Sequence, residues 1–111
     1  MNIYDTTNKL AKEIRESKEY REYKKLKEEI KLDSNKKIKV EEFEHLRYEI
    51  QLKTIKGEES QLEESKQLLQ EKYKELLEDK KIKKYFEAEV KFNVMVADIN
   101  KIIAEAIKDV L

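Results

Sequence analysis

Glu42 and His45 stand three residues apart in the stretch EEFEHLRYEI. This is the Glu-x-x-His spacing that sets a carboxylate and an imidazole side by side in di-iron carboxylate bundles. Doubled in a dimer and joined by a further carboxylate such as Glu89, the pair could hold two metal ions, provided the ligands point inward. On a helix turning about 100° per residue with Phe43 facing the core, Glu42 falls roughly at −100° and His45 roughly at −160°. Both project away from the core, so the pair reads as a solvated face. His45 is the only histidine and there is no cysteine, which excludes disulfides, thiol catalysis and cysteine-ligated metal or iron–sulfur centres. Ser17, Ser34 and Ser60 sit at helix starts, where capping accounts for them. Ser65 falls on the inner side of its helix without an accompanying base, and there is no glycine-rich loop to cradle phosphate. The expectation is a non-enzyme with no catalytic residue, no cofactor and no metal.

Two basic runs, NKKIK (35–39) and DKKIKK (79–84), raise nucleic-acid binding. A dedicated binder shows a basic footprint. Here 25 basic and 25 acidic residues cancel to a net charge of +0, the pI is about 6.6, and most lysines have acidic neighbours at i,i+4 spacing. The runs are better explained as solvated helix starts, and nucleic acid is not expected as a partner. Tyr20, Tyr23, Tyr48, Tyr73 and Tyr85 recur beside leucines at helical spacing, which suits core-edge residues whose hydroxyls reach water better than base-stacking platforms.

The elements that position these residues are helices. With no proline and one glycine in 111 residues, the turn chemistry of an all-β fold is missing. Charged residues form 45% of the chain and mean hydropathy is −0.91, yet zero net charge and strongly periodic apolar residues argue against disorder and for slender helices with salt-bridged outer faces. Periodicity and caps predict five helices, over about 4–16, 17–32, 34–56, 60–76 and 80–110. Ser17 marks a break that leaves the first two either separate or continuous. Asp33 or Ser34 caps the third, Gly57 ends it, Ser60 and Glu63 form a capping box on the fourth, and Asp79 caps the fifth. The loop at Gly57 makes helices three and four an antiparallel hairpin. The fold class is all-α: an antiparallel bundle of about five helices with a long C-terminal helix, in one domain over 1–111.

The fifth helix carries the sharpest signal. In YFEAEVKFNVMVADI (85–99), Tyr85, Phe92, Val96, Ile99 and Ile103 share one stripe, with Phe86 beside it, while Val90, Val94 and Ala97 lie opposite. A helix of roughly 46 Å, apolar on both sides at its middle, outruns what a chain this short can cover. A homo-oligomer, a dimer or higher, is therefore expected, with Phe92, Val96, Ile99 and Ile103 central to the packing. Glu89 lies within the main stripe. An unpaired carboxylate there would be costly or take up a proton, so a structural, partnered Glu89 is expected. Arg47, about 40° from Phe43 on the third helix, is the favoured partner over Tyr85. The polar start MNIYDTTNKLAKEIRES lacks a signal-peptide apolar region, and the longest apolar run, VMVA (94–97), is far short of a membrane span. The expectation is a soluble cytoplasmic protein without membrane contact.

The segments NIYD (2–5), SKEYREY (17–23), IKGEE (55–59), YFEAE (85–89) and INKIIAEAI (99–107), in this order and spacing over nearly the whole chain, resemble the YlbF/YmcA family of small bacterial helical proteins, nearest its YheA-like branch. The resemblance implies an all-α fold and self-association. It also implies kinship to regulators that act without known catalytic residues, assemble with each other and a further partner, support competence, sporulation and biofilm formation, and influence ribonuclease Y-dependent mRNA maturation. The complex of that subset resembles an iron–sulfur protein with cysteine ligands, and cluster binding does not carry over to a chain without cysteine. Two readings of function follow. One is a non-enzymatic adaptor or regulator acting through protein contacts, its partners in the mRNA-processing or developmental machinery. The other is an accessory RNA-binding factor in mRNA processing.

Overall fold

The computed structural model describes residues 2–58 and 62–111. Its elements are α1 (Ile3–Glu16), α2 (Lys18–Leu32), α3 (Ser34–Lys56), α4 (Leu62–Leu76) and α5 (Lys80–Ile107), followed by a 3-10 turn over Lys108–Val110. No strand occurs among the described residues. The expected five helices and the long C-terminal helix are present. The last one tightens into a 3-10 turn after Ile107 rather than continuing as α-helix.

Short polar residues set the boundaries. Ser17 separates α1 from α2: its backbone is extended (φ −65°, ψ 152°), and its N–H donates to the Ile14 carbonyl at 3.1 Å. Its Oγ accepts from the Tyr20 N–H at 3.1 Å, opening α2 as an N-cap does. The first two helices are thus distinct. Asp33 caps α3 by accepting from the N–H groups of Asn35 and Lys36, and Asp79 caps α5 by accepting from Lys81 and Ile82. At the end of α3, Gly57 adopts the left-handed conformation (φ 73°). The Glu58 N–H then reaches back to the Lys53 carbonyl at 3.0 Å, the bond pattern of a Schellman cap. The capping box expected at Ser60 lies outside the described residues.

The chain forms two compact units: Glu28–Lys84, and Met1–Lys27 together with Tyr85–Leu111. In the first, α3 and α4 pack as an antiparallel hairpin. The start of α3 meets the end of α4, with the Phe43 and Tyr73 rings 5.7 Å apart. Ile30, Val40, Phe43, Ile50, Leu62, Leu76 and Ile82 are buried in it. Ile82 is the deepest side chain at 0% exposure, a burial that stabilises by about 1.5–3 kcal/mol. Lys81 approaches Glu29 at 3.4 Å, and Lys36 bonds Asp79.

The second unit contains α1, most of α2 and most of α5. Tyr85, Phe86 and Ala88 are its buried apolar residues. Around them Tyr20, Tyr23 and Phe92 build an aromatic cluster, with the Tyr23 ring 5.6 Å from Tyr85 and 5.4 Å from Phe92. Helix α1 buries none of its residues.

Candidate functional site

The residues that could do chemistry are dispersed. Glu42 and His45 are both exposed, and the His45 Nδ1 stands 3.7 Å from Glu49 on its own helix. Glu42 borders a recess of about 250 Å³ with Lys39, Lys72, Glu75 and Leu76. Lysine and glutamate side chains make up most of its lining. Among the described residues no group of three or more His, Cys, Asp or Glu is arranged to hold a metal ion. Ser65 is half-buried on α4.

The basic runs are built into helix starts. From NKKIK, Lys36 donates to Asp79. From DKKIKK, Lys81 pairs with Glu29, and Ile82, set among the lysines of the run, is the most buried side chain among the described residues. The Lys36 hydrogen bond holds the Asp79 carboxyl below its ordinary value against the effect of burial, with the Ile82 and Lys81 N–H groups acting in the same direction.

The α5 stripe grades from interior to surface. Tyr85 and Phe86 are buried, Glu89, Phe92, Val96 and Ile99 are half-buried, and Ile103 is 50% exposed. Tyr85, at 2% exposure, is a core residue rather than the edge residue its spacing suggests, because Tyr23 and Phe86 enclose its ring. Tyr48 is the opposite case, lying well exposed on α3. Glu89 accepts a hydrogen bond from the Tyr23 hydroxyl at 3.2 Å. Spacing along α5 could not reveal this partner, because it depends on how α2 is rotated against α5. Arg47 extends along α3 with its guanidinium 5.5 Å from the Phe43 ring centre.

One surface feature stands apart from these local pairings. Val90, Val94, Met95, Ile99 and Ile102 of α5, with the start of α2, line an open groove of about 600 Å³. Charged side chains border it: Lys18, Glu19 and Glu22 from α2, and Lys91 and Asp98 from α5. Val90, Val94 and Ile102 are more than half exposed. Further along α5, Ile103 and Ile107, on the side of the main stripe rather than that of Val90 and Val94, are exposed as well. Large apolar residues clustered on a surface and rimmed by charge mark contact sites more often than solvent-facing filler. The sequence pattern points to Val90 and Val94. It leaves out Met95, Ile102 and the α2 rim, which become neighbours only once α2 is laid against α5. Among the described residues, no helix is long and apolar enough to cross a membrane.

Comparison with known proteins gives this surface a family setting. The chain is 36% identical over 109 residues to a UPF0342 protein of Alkalihalophilus pseudofirmus, covering 98% of this chain and 92% of the relative. It is 37% identical over 117 residues to a UPF0342 protein of Desulfitobacterium hafniense, covering 100% and 89%. A UPF0342 protein of Caldicellulosiruptor bescii is 34% identical over 107 residues, covering 96% and 89%. No solved structure matches the chain. The family model described as "Control of competence regulator ComK, YlbF/YmcA" matches residues 3–108. On that match and these relatives, the chain belongs to the YlbF/YmcA family, whose description links it to control of a competence regulator.

Proposed function

We propose that this protein is a non-enzymatic helical adaptor of the cytoplasm that regulates by binding other proteins, its own copies among them. The observation that carries the reading is the set of exposed apolar side chains on α5, with Val90, Val94 and Ile102 at the groove and Ile103 and Ile107 on the side of the main stripe. A helix this apolar on its open side gains most by meeting another apolar surface, since burial of such area is the main driving force of association. The family's description, with its link to regulation, supports the same direction. Within the family the segments NIYD, SKEYREY and YFEAE support a reading nearest the YheA-like branch, with further partners in the developmental or mRNA-processing machinery. Light scattering at micromolar concentration tests the core of the proposal. A mass of at least twice 13.4 kDa is expected, and a stable 13.4 kDa species would overturn self-association. A mobility shift with cellular RNA separates this reading from an RNA-binding factor: tight binding that weakens steeply with salt would favour the latter.

A further inference from the structure

The two lysine runs, far apart in the chain, come together in the fold. Lys36 bonds Asp79 and Lys81 pairs with Glu29, so the start of α3, the start of α5 and the end of α2 meet within the Glu28–Lys84 unit. In a chain of zero net charge, residues 31–39 and 79–84 set eight lysines against Asp33 and Asp79. Both aspartates are engaged as N-caps, so the surface offers lysine side chains rather than bare helix ends. Lys37, Lys80, Lys83 and Lys84 are exposed, and none of them enters an ion pair among the described residues. Local energetics do not explain them. The helix dipole favours acid in a first turn, where α1, α2 and α4 have Asp5, Glu19, and Glu63 with Glu64. The first turns of α3 and α5 hold no acid. Lys80 and Lys84 also form a like-charge pair at i,i+4 spacing, which is unfavourable. Residues that work against their own helix without a local gain point to function.

We infer that this lysine surface docks an acidic segment of a partner protein. The inference names the chemistry of a partner and rests on the adaptor reading. Charge complementarity supplies the attraction and the selection against other partners. Leu32 and Ile38, on either side of the Asp33 turn, are 87% and 54% exposed. They offer apolar contacts that a phosphate backbone does not use. Neither run contains an aromatic ring, and Tyr85 and Phe86, which follow the second, are buried, so the surface has no platform for stacking bases. A protein segment with apolar residues among its carboxylates fits both the lysines and the exposed aliphatic pair. Single-stranded nucleic acid fits the lysines alone.

Fluorescence anisotropy with labelled probes of equal length tests this: a glutamate peptide with interspersed leucines, the same peptide with glutamine for glutamate, and a single-stranded RNA. The glutamate peptide is expected to bind, more weakly as salt rises, and about tenfold tighter than either other probe. Lys80→Gln combined with Lys84→Gln should weaken it about tenfold and Leu32→Ser about threefold. Lys66→Gln, toward the far end of α4, should leave it unchanged. The double lysine variant removes a first-turn cation and a like-charge pair, so its melting temperature should hold or rise while binding falls. A lower melting temperature would make the lysines structural and overturn the inference. Equal affinity for the two peptides, RNA bound as tightly as the glutamate peptide, or a double variant that binds as wild type does would each overturn it as well. A double variant that loses self-association would assign the surface to a second copy, against the inference. The wild-type mass from light scattering reports on self-association separately, so the docking surface can fail while that reading stands.

Discussion

The two compact units draw on the same few residue types to different ends. In Glu28–Lys84 a set of aliphatic side chains turns inward, Ile30, Val40, Ile50, Leu62, Leu76 and Ile82 being buried with Phe43 while Leu32, Ile38, Ile55 and Leu68 stay exposed, and side-chain bonds such as Lys36 to Asp79 tie one helix to the next. In Met1–Lys27 with Tyr85–Leu111, burial stops at Ala88, α1 buries nothing, and Val90, Val94, Ile102, Ile103 and Ile107 face outward. Both units hold their helices with the same capping chemistry. What differs is where the apolar area goes, and therefore what each unit's stability depends on. One gathers the larger buried core, while the other leaves much of the apolar area of its long helix on a surface whose free energy of burial becomes available only on binding.

The sharpest way to break this contrast is Ile82→Ala. Ile82 is fully enclosed, so truncation should leave a cavity and cost about 2–5 kcal/mol, read as a lower denaturation midpoint at unchanged slope. Ile103→Ala, measured the same way on dilute protein, should cost less than about 1 kcal/mol. Similar losses at the two positions would mean that the units are not built differently.

The ease of reading the sequence follows the same division. Helix limits were legible because Ser17, Asp33, Gly57 and Asp79 act within one turn of where they stand in the chain. The helix-five stripe was legible as a pattern for the same reason, since periodicity is local. What was not legible depended on the placement of one helix against another. Ile82 stands in a lysine run, and its burial follows from the packing of its helix start rather than from its neighbours in sequence. The Tyr23 partner of Glu89 and the α2 rim of the groove likewise require a rotation angle that no spacing along one helix encodes.

Asp79 sharpens the comparison on the closed side. It caps α5 through two N–H groups and binds Lys36, so Asp79→Ala should cost about 1–2 kcal/mol. The pH dependence has a definite sign. Its carboxyl is held below the ordinary 3.8, so its contribution is fully present above the unfolded value and is lost as pH falls through the lower folded value. Urea midpoints of wild type and Asp79→Asn should differ by a constant amount from neutrality down to about pH 5 and converge below about pH 4. A difference that grows on acidification would contradict the bond.

A smaller effect is expected in the aromatic cluster of the open unit. Tyr23→Phe removes the hydroxyl that Glu89 accepts from, and Glu89→Ala removes the acceptor. Each should cost about 0.5–1.5 kcal/mol. Both groups are half-buried, so water can replace part of what is lost. The double variant decides whether the bond matters: a coupling energy above about 0.5 kcal/mol supports a structural Glu89, and additive losses remove the pair from the account.

The smallest expected effect on folding is at Ile102, and it bears most directly on the open surface. Its side chain is 71% exposed on the wall of the groove. Ile102→Ser in a separated monomer therefore forfeits little burial, and its unfolding free energy should change by no more than about 0.5 kcal/mol, most of it helix propensity. Association is a different matter. If the groove is covered in the working state, Ile102 becomes buried there, and losing it removes roughly 1–2 kcal/mol of apolar transfer from every interface it enters. That corresponds to a five- to thirtyfold weaker complex. The two measurements must part company: denaturation at a concentration where the monomer prevails should barely register the change, while sedimentation equilibrium at higher concentration should register it clearly. If denaturation shifts as much as association does, Ile102 already has cover within its own chain, and the contrast between a closed and an open unit falls.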